Sequence, residues 1–288
     1  MKRFVYLALV ICSIPCFADS WMKDSEPAIL QVQYMQTIVQ DTTKRDKNFF
    51  KEKTMLRIGK NISRYQSITK FQRDSLLHFN SALYWETERI AFESATDPVS
   101  RDMKTLERNG RYWDITYKNY PEGKITVSSY FNMTDWKYEE EWEKPEWEIC
   151  ESTKTILGYE CIEATADYRG RRWTAWFSPE IPVQDGPWKL CGLPGLILEA
   201  YDTGKEYHYI AEGITQSGIG DVGFLTYREK RGVKKVDRDK YFNEWWKYKH
   251  SNFGAKMAAM FGKGPQPTDK KSEPINQDAE ETNYPHDL

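Results

Sequence analysis

The chain has 288 residues, of which 40% are hydrophobic and 15% aromatic, and its formal net charge is −2. A nearly balanced charge argues against a protein that binds nucleic acid through a broad basic surface. This length can bury one sizeable core or two small ones, and the abundance of Trp and Tyr favours β-structure.

The N-terminus has the features of a secretory signal peptide. Lys2 and Arg3 precede an apolar run over 4–14, which is followed by a short cleavage region. The apolar run is shorter than the roughly 20 residues that a membrane-spanning helix needs. The residues before Cys16 do not fit a lipoprotein motif. We therefore predict that residues 1–18 are removed and that the protein is exported, to a periplasmic or outer-membrane-associated location.

Alternating apolar residues predict strands along most of the chain. The first strand is predicted over 28–39. A hairpin follows over 55–68, because residues 59–61 contain Gly and Asn, which tolerate the positive φ values of tight turns. Further strands are predicted over 112–120, 124–133, 136–142, 147–151, 159–168, 171–177 and 196–198.

Two segments have helical periodicity. In 70–94 the apolar residues recur at steps of three to five with no Gly or Pro between them, which predicts one long helix. Asp237 can cap a short helix near the C-terminus. From 263 onward the composition turns to Pro, Lys, Asp and Glu with few apolar residues, and this predicts a disordered acidic tail over 263–288.

These elements predict a mainly antiparallel β (α+β) fold. We expect a large curved sheet or half-barrel wrapped around one long helix, with a short C-terminal helix and a disordered tail. Residues 19–262 are predicted to form a single β-rich domain.

The segment over 186–200 contains a glycine-bracketed proline. The literal string GLPGLI is formed by Gly192, Leu193, Pro194, Gly195, Leu196 and Ile197. This string resembles the signature of the GLPGLI family of exported Bacteroidota proteins, and Gly158-Tyr159-Glu160-Cys161 and Ala175-Trp176-Phe177 resemble the family's usual approach to it. The resemblance implies export and supplies no established activity.

The motif itself has two interpretations. The glycines and the proline force a sharp turn before an apolar strand. The motif is then either a surface loop that binds a hydrophobic ligand or a partner protein, or a structural corner that holds strands in register. The lack of polar side chains favours the corner, and the six motif residues remain the candidate binding residues.

Three cysteines remain after export: Cys150, Cys161 and Cys191. An oxidising compartment allows one disulfide among them. The turn at Gly170 and the loop over 178–190 return the chain to the same end of neighbouring strands, which makes Cys161 and Cys191 a possible disulfide. The alternatives are three unpaired thiols or a bond that involves Cys150.

The sequence contains no local signature of a catalytic, metal or cofactor site. It lacks a G-x-S-x-G elbow and any H-E-x-x-H, C-x-x-C or EF-hand spacing. Over 135–148, Trp and Tyr alternate with Glu. This pattern fits either an aromatic platform for a cationic peptide or sugar, or half-buried edge strands, and the alternation favours the strands.

We therefore expect a non-catalytic envelope protein, without a cofactor or metal, that shelters a hydrophobic ligand or a partner segment or acts in assembly. The alternative is a hydrolase that uses carboxylates brought together by folding, because paired carboxylates have no obligatory spacing.

Overall fold

The computed structural model describes residues 21–94, 110–227, 229, 232–249 and 279–283. The predicted signal peptide, 1–18, lies outside them. The described helices are α1 (Ile68–Phe79), α2 (Ser81–Glu93) and α3 (Arg238–Lys249). The described strands are β1 (Met22–Pro27), β2 (Leu30–Val39), β3 (Phe49–Ile58), β4 (Ser63–Ser67), β5 (Ile115–Lys118), β6 (Lys124–Phe131), β7 (Thr134–Glu141), β8 (Glu148–Ile156), β9 (Tyr159–Tyr168), β10 (Arg171–Ser178), β11 (Leu196–Asp202), β12 (Tyr207–Thr215), β13 (Asp221–Leu225) and β14 (Lys234–Lys235).

Twelve strands form one open sheet in the order β14-β7-β6-β5-β4-β3-β2-β12-β11-β10-β9-β8. All neighbours pair antiparallel except β14, which lies parallel to β7. The pairing of β12 with β2 brings two distant parts of the chain together at the middle of the sheet. β1 and β13 form a separate two-stranded ribbon.

The predicted sheet wrapped around one long helix is wrong. The helical segment 70–94 is two short helices, because Asn80 leaves helical geometry at φ −148° and ψ 73°. Its side chain accepts a hydrogen bond from the Leu83 backbone amide at 3.0 Å and so starts α2. Phe79 and Ile90 are more than half exposed. The apolar period of this segment therefore does not mark a helix buried inside the sheet, and the described strands do not close on themselves.

The antiparallel β character and most individual strands are confirmed. The hairpin predicted over 55–68 is β3 and β4, and the strands predicted from 124 to 177 correspond to β6 through β10. Asp237 caps α3 as predicted, accepting from the Lys240 amide at 2.8 Å. Four strands have no predicted counterpart with bounds: β1, β12, β13 and β14. Of these, β1 and β14 are mostly exposed and have no alternating apolar residues. The domain bounds 19–262 stay a prediction.

The core follows the inward faces of the strands. The largest cluster extends from β2–β4 to β8–β12 and includes Trp173, Leu196 and Tyr209, all fully or almost fully buried. A second cluster packs α3 against β6 and β7, with the rings of Phe131 and Trp136 stacked 5.0 Å apart. In the described part of the chain, no helix is both long and apolar enough to cross a bilayer.

Candidate ligand cavity and its acidic segment

A cavity of about 520 Å³ lies beneath α3, and twelve of its lining residues are aromatic. The aromatic residues are Phe50, Tyr112, Trp113, Tyr130, Phe131, Tyr138, Trp188, Tyr207, Tyr241, Phe242, Trp245 and Tyr248. They come from strands near the middle and one end of the sheet, from the segment before β5, from the loop between β10 and β11 and from one side of α3. The rings pack against each other as well as around the space: Tyr241 lies 4.7 Å from Tyr138 and 5.5 Å from Phe131 between ring centroids.

Residues 279–281 form part of the wall of this cavity, and residues 279–283 are described together as one segment. Ala279, Glu280 and Glu281 line it, and all three are buried. The prediction of disorder over 263–288 concerns residues that mostly lie outside the described ones. The five that are described are packed against the body of the protein.

The Glu280 carboxyl is surrounded by uncharged donors. Tyr209 Oη donates to Glu280 Oε1 at 2.6 Å, and Gln36 Nε2 donates to the same oxygen at 3.0 Å. Tyr112 Oη lies 3.5 Å from the other oxygen. Burial raises the pKa of Glu280 to about 8, although the Tyr209 hydrogen bond lowers it. Glu280 therefore holds its proton at pH 7.

The neighbouring Glu281 is ionised. Burial would raise its pKa, but Lys189 and Arg238 outweigh burial and lower it. Lys189 Nζ contacts Oε1, and Arg238 Nε donates to Oε2 at 2.8 Å. Lys189 is completely buried and also lies 2.5 Å from Glu140 Oε1. The other Glu140 oxygen lies 3.2 Å from an Arg169 nitrogen, so these side chains form one buried ionic network.

Backbone contacts fix the rest of the segment. Arg171 donates to the Ala279 carbonyl oxygen at 2.7 Å. The Thr282 amide donates to the Arg169 carbonyl at 3.0 Å, and the Thr282 hydroxyl donates to the Gly170 carbonyl at 2.8 Å. A Cβ on Gly170 would lie 2.7 Å from the Asn283 nitrogen, so the β9–β10 turn needs glycine here for this close approach.

The candidate motif residues lie beside the cavity and do not line it. Gly192 has φ +92°, and Leu193, Leu196 and Ile197 are buried in the core. Pro194 is exposed and Gly195 is packed against the Ser178 carbonyl group. This packing is that of the structural corner described above, and ligand binding by the motif stays a prediction.

The segment just before the motif does reach the cavity. Trp188 lines it, and Lys189 supplies the ionic network. Lys118 holds this segment from below by donating to the Gly186 carbonyl oxygen at 2.6 Å. The only sequence signal for this role is a lysine inside an otherwise apolar run.

The predicted disulfide is not formed in this structure. Cys161 and Cys191 are both buried free thiols, and Cys150 is a free thiol at intermediate exposure. Burial raises the pKa of the Cys161 thiol to about 11, so it is protonated at neutral pH. Within the described residues, no three His, Cys, Asp or Glu side chains are placed to hold a metal ion.

Fold and site together define a mostly β-sheet protein with an aromatic cavity closed by a buried acidic segment. The family described as "Protein of unknown function (Porph_ging)" matches residues 168–199. This short stretch includes β10 and the Gly192–Ile197 motif. The GLPGLI name stays a prediction from the sequence string, and no curated protein matches the chain.

Two similar solved structures are crystal forms of PNGF-II, in space groups P21 and C2. Each is 11% identical to this chain with a TM-score of 0.48. The matches cover 76% and 78% of this chain but only 33% and 34% of the solved chains. This chain therefore spans about a third of the length of the proteins it resembles.

Proposed function

We propose that this is a non-catalytic binding protein that shelters an apolar, ring-bearing ligand in the aromatic cavity. The observation that supports the proposal is the cavity itself, whose volume of about 520 Å³ falls in the range of small-molecule sites. The export expected from the sequence is part of this proposal, because the signal peptide would bring the protein to envelope ligands.

The chemistry of the lining favours an apolar ligand with a polar end. Ring surfaces contribute most of the binding energy when they remove apolar area from water. Uncharged polar groups in the lining can orient such a ligand, among them the protonated Glu280 carboxyl and the side-chain amides of Gln40 and Asn132.

The test is fluorescence titration with N-phenyl-1-naphthylamine, a neutral apolar probe. We expect saturable enhancement with the wild-type chain. Trp245→Ala should weaken binding about tenfold, because it removes one ring from the lining. Trp246→Ala is the matched control, since Trp246 is the next residue on α3 and does not line the cavity. An equal loss of probe affinity in the two variants would contradict the proposed site.

A carboxylate-based hydrolase is the second candidate. Asp114 and Glu280 line the same cavity, and Glu280 holds a proton near neutral pH as a general acid must. We would expect hydrolysis of aryl glycosides or aryl esters that Asp114→Asn and Glu280→Gln both abolish. Absence of turnover by a chain that binds the naphthylamine probe would eliminate this candidate.

A further inference from the structure

We propose that the groove holding residues 279–283 is a peptide-binding site for a segment with two adjacent glutamates, and that the chain's own segment occupies it as a replaceable ligand. The inference does not depend on the apolar ligand proposed above. Its ligand class is an acidic peptide, recognised by the ionic network and by the donors around Glu280.

The charge balance of the groove requires an anionic occupant. Lys189, Arg169 and Arg238 converge there, and the only buried carboxylate that the rest of the described chain places among them is Glu140. Without the segment, three cations face one buried carboxylate. Because uncompensated buried charge is costly, the empty groove favours a ligand that brings a second carboxylate.

The carboxylates at the rim do not replace Glu281. Glu143 lies 3.4 Å from Arg169, and Asp239 lies 3.5 Å from Arg238. Their side chains are 69% and 57% exposed, so water screens them and these pairs contribute little. Glu281 is 1% exposed and contacts Lys189, whose own side chain is fully buried.

The two glutamate positions differ in what they require. The carboxyl of Glu280 accepts from Tyr209 and Gln36, which also suit an amide oxygen. The carboxylate of Glu281 faces an ammonium and a guanidinium group, which need a negative charge. The site should therefore tolerate Gln at the first position and reject it at the second.

Contacts to backbone groups make the groove suited to a peptide. Arg171 binds the Ala279 carbonyl, and the Arg169 carbonyl accepts from the Thr282 amide. Residues 279–283 pair with no strand of either described sheet. The twelve strands therefore complete their ladders without this segment, as expected if it is a bound ligand.

The experiment uses the full chain with a protease recognition sequence inserted between residues 264 and 265. After cleavage, a fluorescein-labelled peptide of residues 275–288 is titrated and its anisotropy is measured. We expect saturable exchange with the cleaved fragment. The peptide carrying Glu281→Gln should bind at least about thirtyfold more weakly, because a buried charge loses its partner. The peptide carrying Glu280→Gln should stay within about threefold.

Three results would overturn the proposal: no exchange of the labelled peptide, equal affinity for the two substituted peptides, or unfolding of the sheet when the fragment leaves, followed by circular dichroism. A measurement on the uncut chain gives an independent check. Glu281→Gln should speed amide exchange at 279–283 while β2 and β12 keep their protection, and loss of protection across the sheet would show a structural segment instead. The naphthylamine titration remains a separate readout, so failure of either proposal can be recognised.

Discussion

Glu280 and Glu281 are adjacent in sequence and both are buried, yet they carry different charges. Glu280 meets hydroxyl and amide donors, and its pKa rises because burial disfavours the ionised form. Glu281 meets Lys189 and Arg238, which stabilise its ionised form. The two side chains therefore lie in different surroundings, one among uncharged donors and the other beside cations.

The raised pKa of Glu280 makes stability depend on pH. The folded chain binds a proton that the unfolded chain releases above about pH 4.5, so this contribution is complete below 4.5 and is lost as pH rises to about 8. Across that window the free energy of unfolding of the wild type should fall by at most about 1.4 kcal/mol per pH unit relative to that of Glu280→Gln. Urea unfolding of both at pH 5, 6, 7 and 8 measures the difference. Glu151→Gln, at an exposed position in β8, is the control and should follow the wild type.

Lys118 is, like Lys189, a buried cation, and it stabilises the segment just before the motif. It is 1% exposed, contacts the Asp185 carboxylate and holds the segment that carries Trp188. Lys118→Met should lower the free energy of unfolding by about 3 to 5 kcal/mol, because Asp185 is left without its buried partner. Lys124→Met, at a half-exposed ion pair, should cost less than about 1 kcal/mol. Chemical denaturation of both variants measures the contrast, and similar losses would contradict it.

At the scale of elements, most strands could be predicted from the sequence, whereas the division of 70–94 into two helices could not. A strand with one buried face repeats every two residues, and β2 shows that alternation in both its sequence and its burial. In 70–94 the spacing alone did not reveal the break. Asn80 is a good N-cap as well as a tolerated helix residue, so the sequence permits both one helix and two.

The turn over residues 192–195, which was called the structural corner above, determines where β11 begins. Gly195 packs so closely that a Cβ would lie 2.6 Å from the Ser178 carbonyl carbon. Gly195→Ala should therefore displace β10 from β11 and cost about 1 to 3 kcal/mol. Gly213→Ala is the matched control, because a Cβ there meets nothing within 4 Å. Thermal unfolding should show a clear loss for the first and little change for the second; the reverse order would contradict the role of the corner.

The candidate site could not be predicted from local patterns. Its pairs are far apart in sequence: Gln36 and Glu280 are separated by 244 residues, and Tyr209 and Glu280 by 71. The two glutamates belong to a segment whose composition is typical of disorder, and burial there follows from specific partners. What the sequence did reveal, the corner next to Lys189, lies at the border of the site.

At the scale of the whole molecule, the sheet order explains why one short segment meets so many elements. β2 and β12 are neighbours at the centre, and β7 lies near one edge. Glu280 contacts the central pair, while Glu281 contacts β7 residues and α3. The segment thus links the middle of the sheet to the end that carries α3.

Lys189 and Glu281 are far apart in sequence, and this separation determines when the ionic network can form. Glu281 follows Lys189 by 92 residues. At a synthesis rate of about 5 to 20 residues per second, the ribosome needs roughly 5 to 20 s to reach it. During that interval Glu140, already made, is the only buried carboxylate partner that the described chain offers Lys189. The strands around Lys189 can pair without Glu281, but the ionic network is complete only after Glu281 has been made.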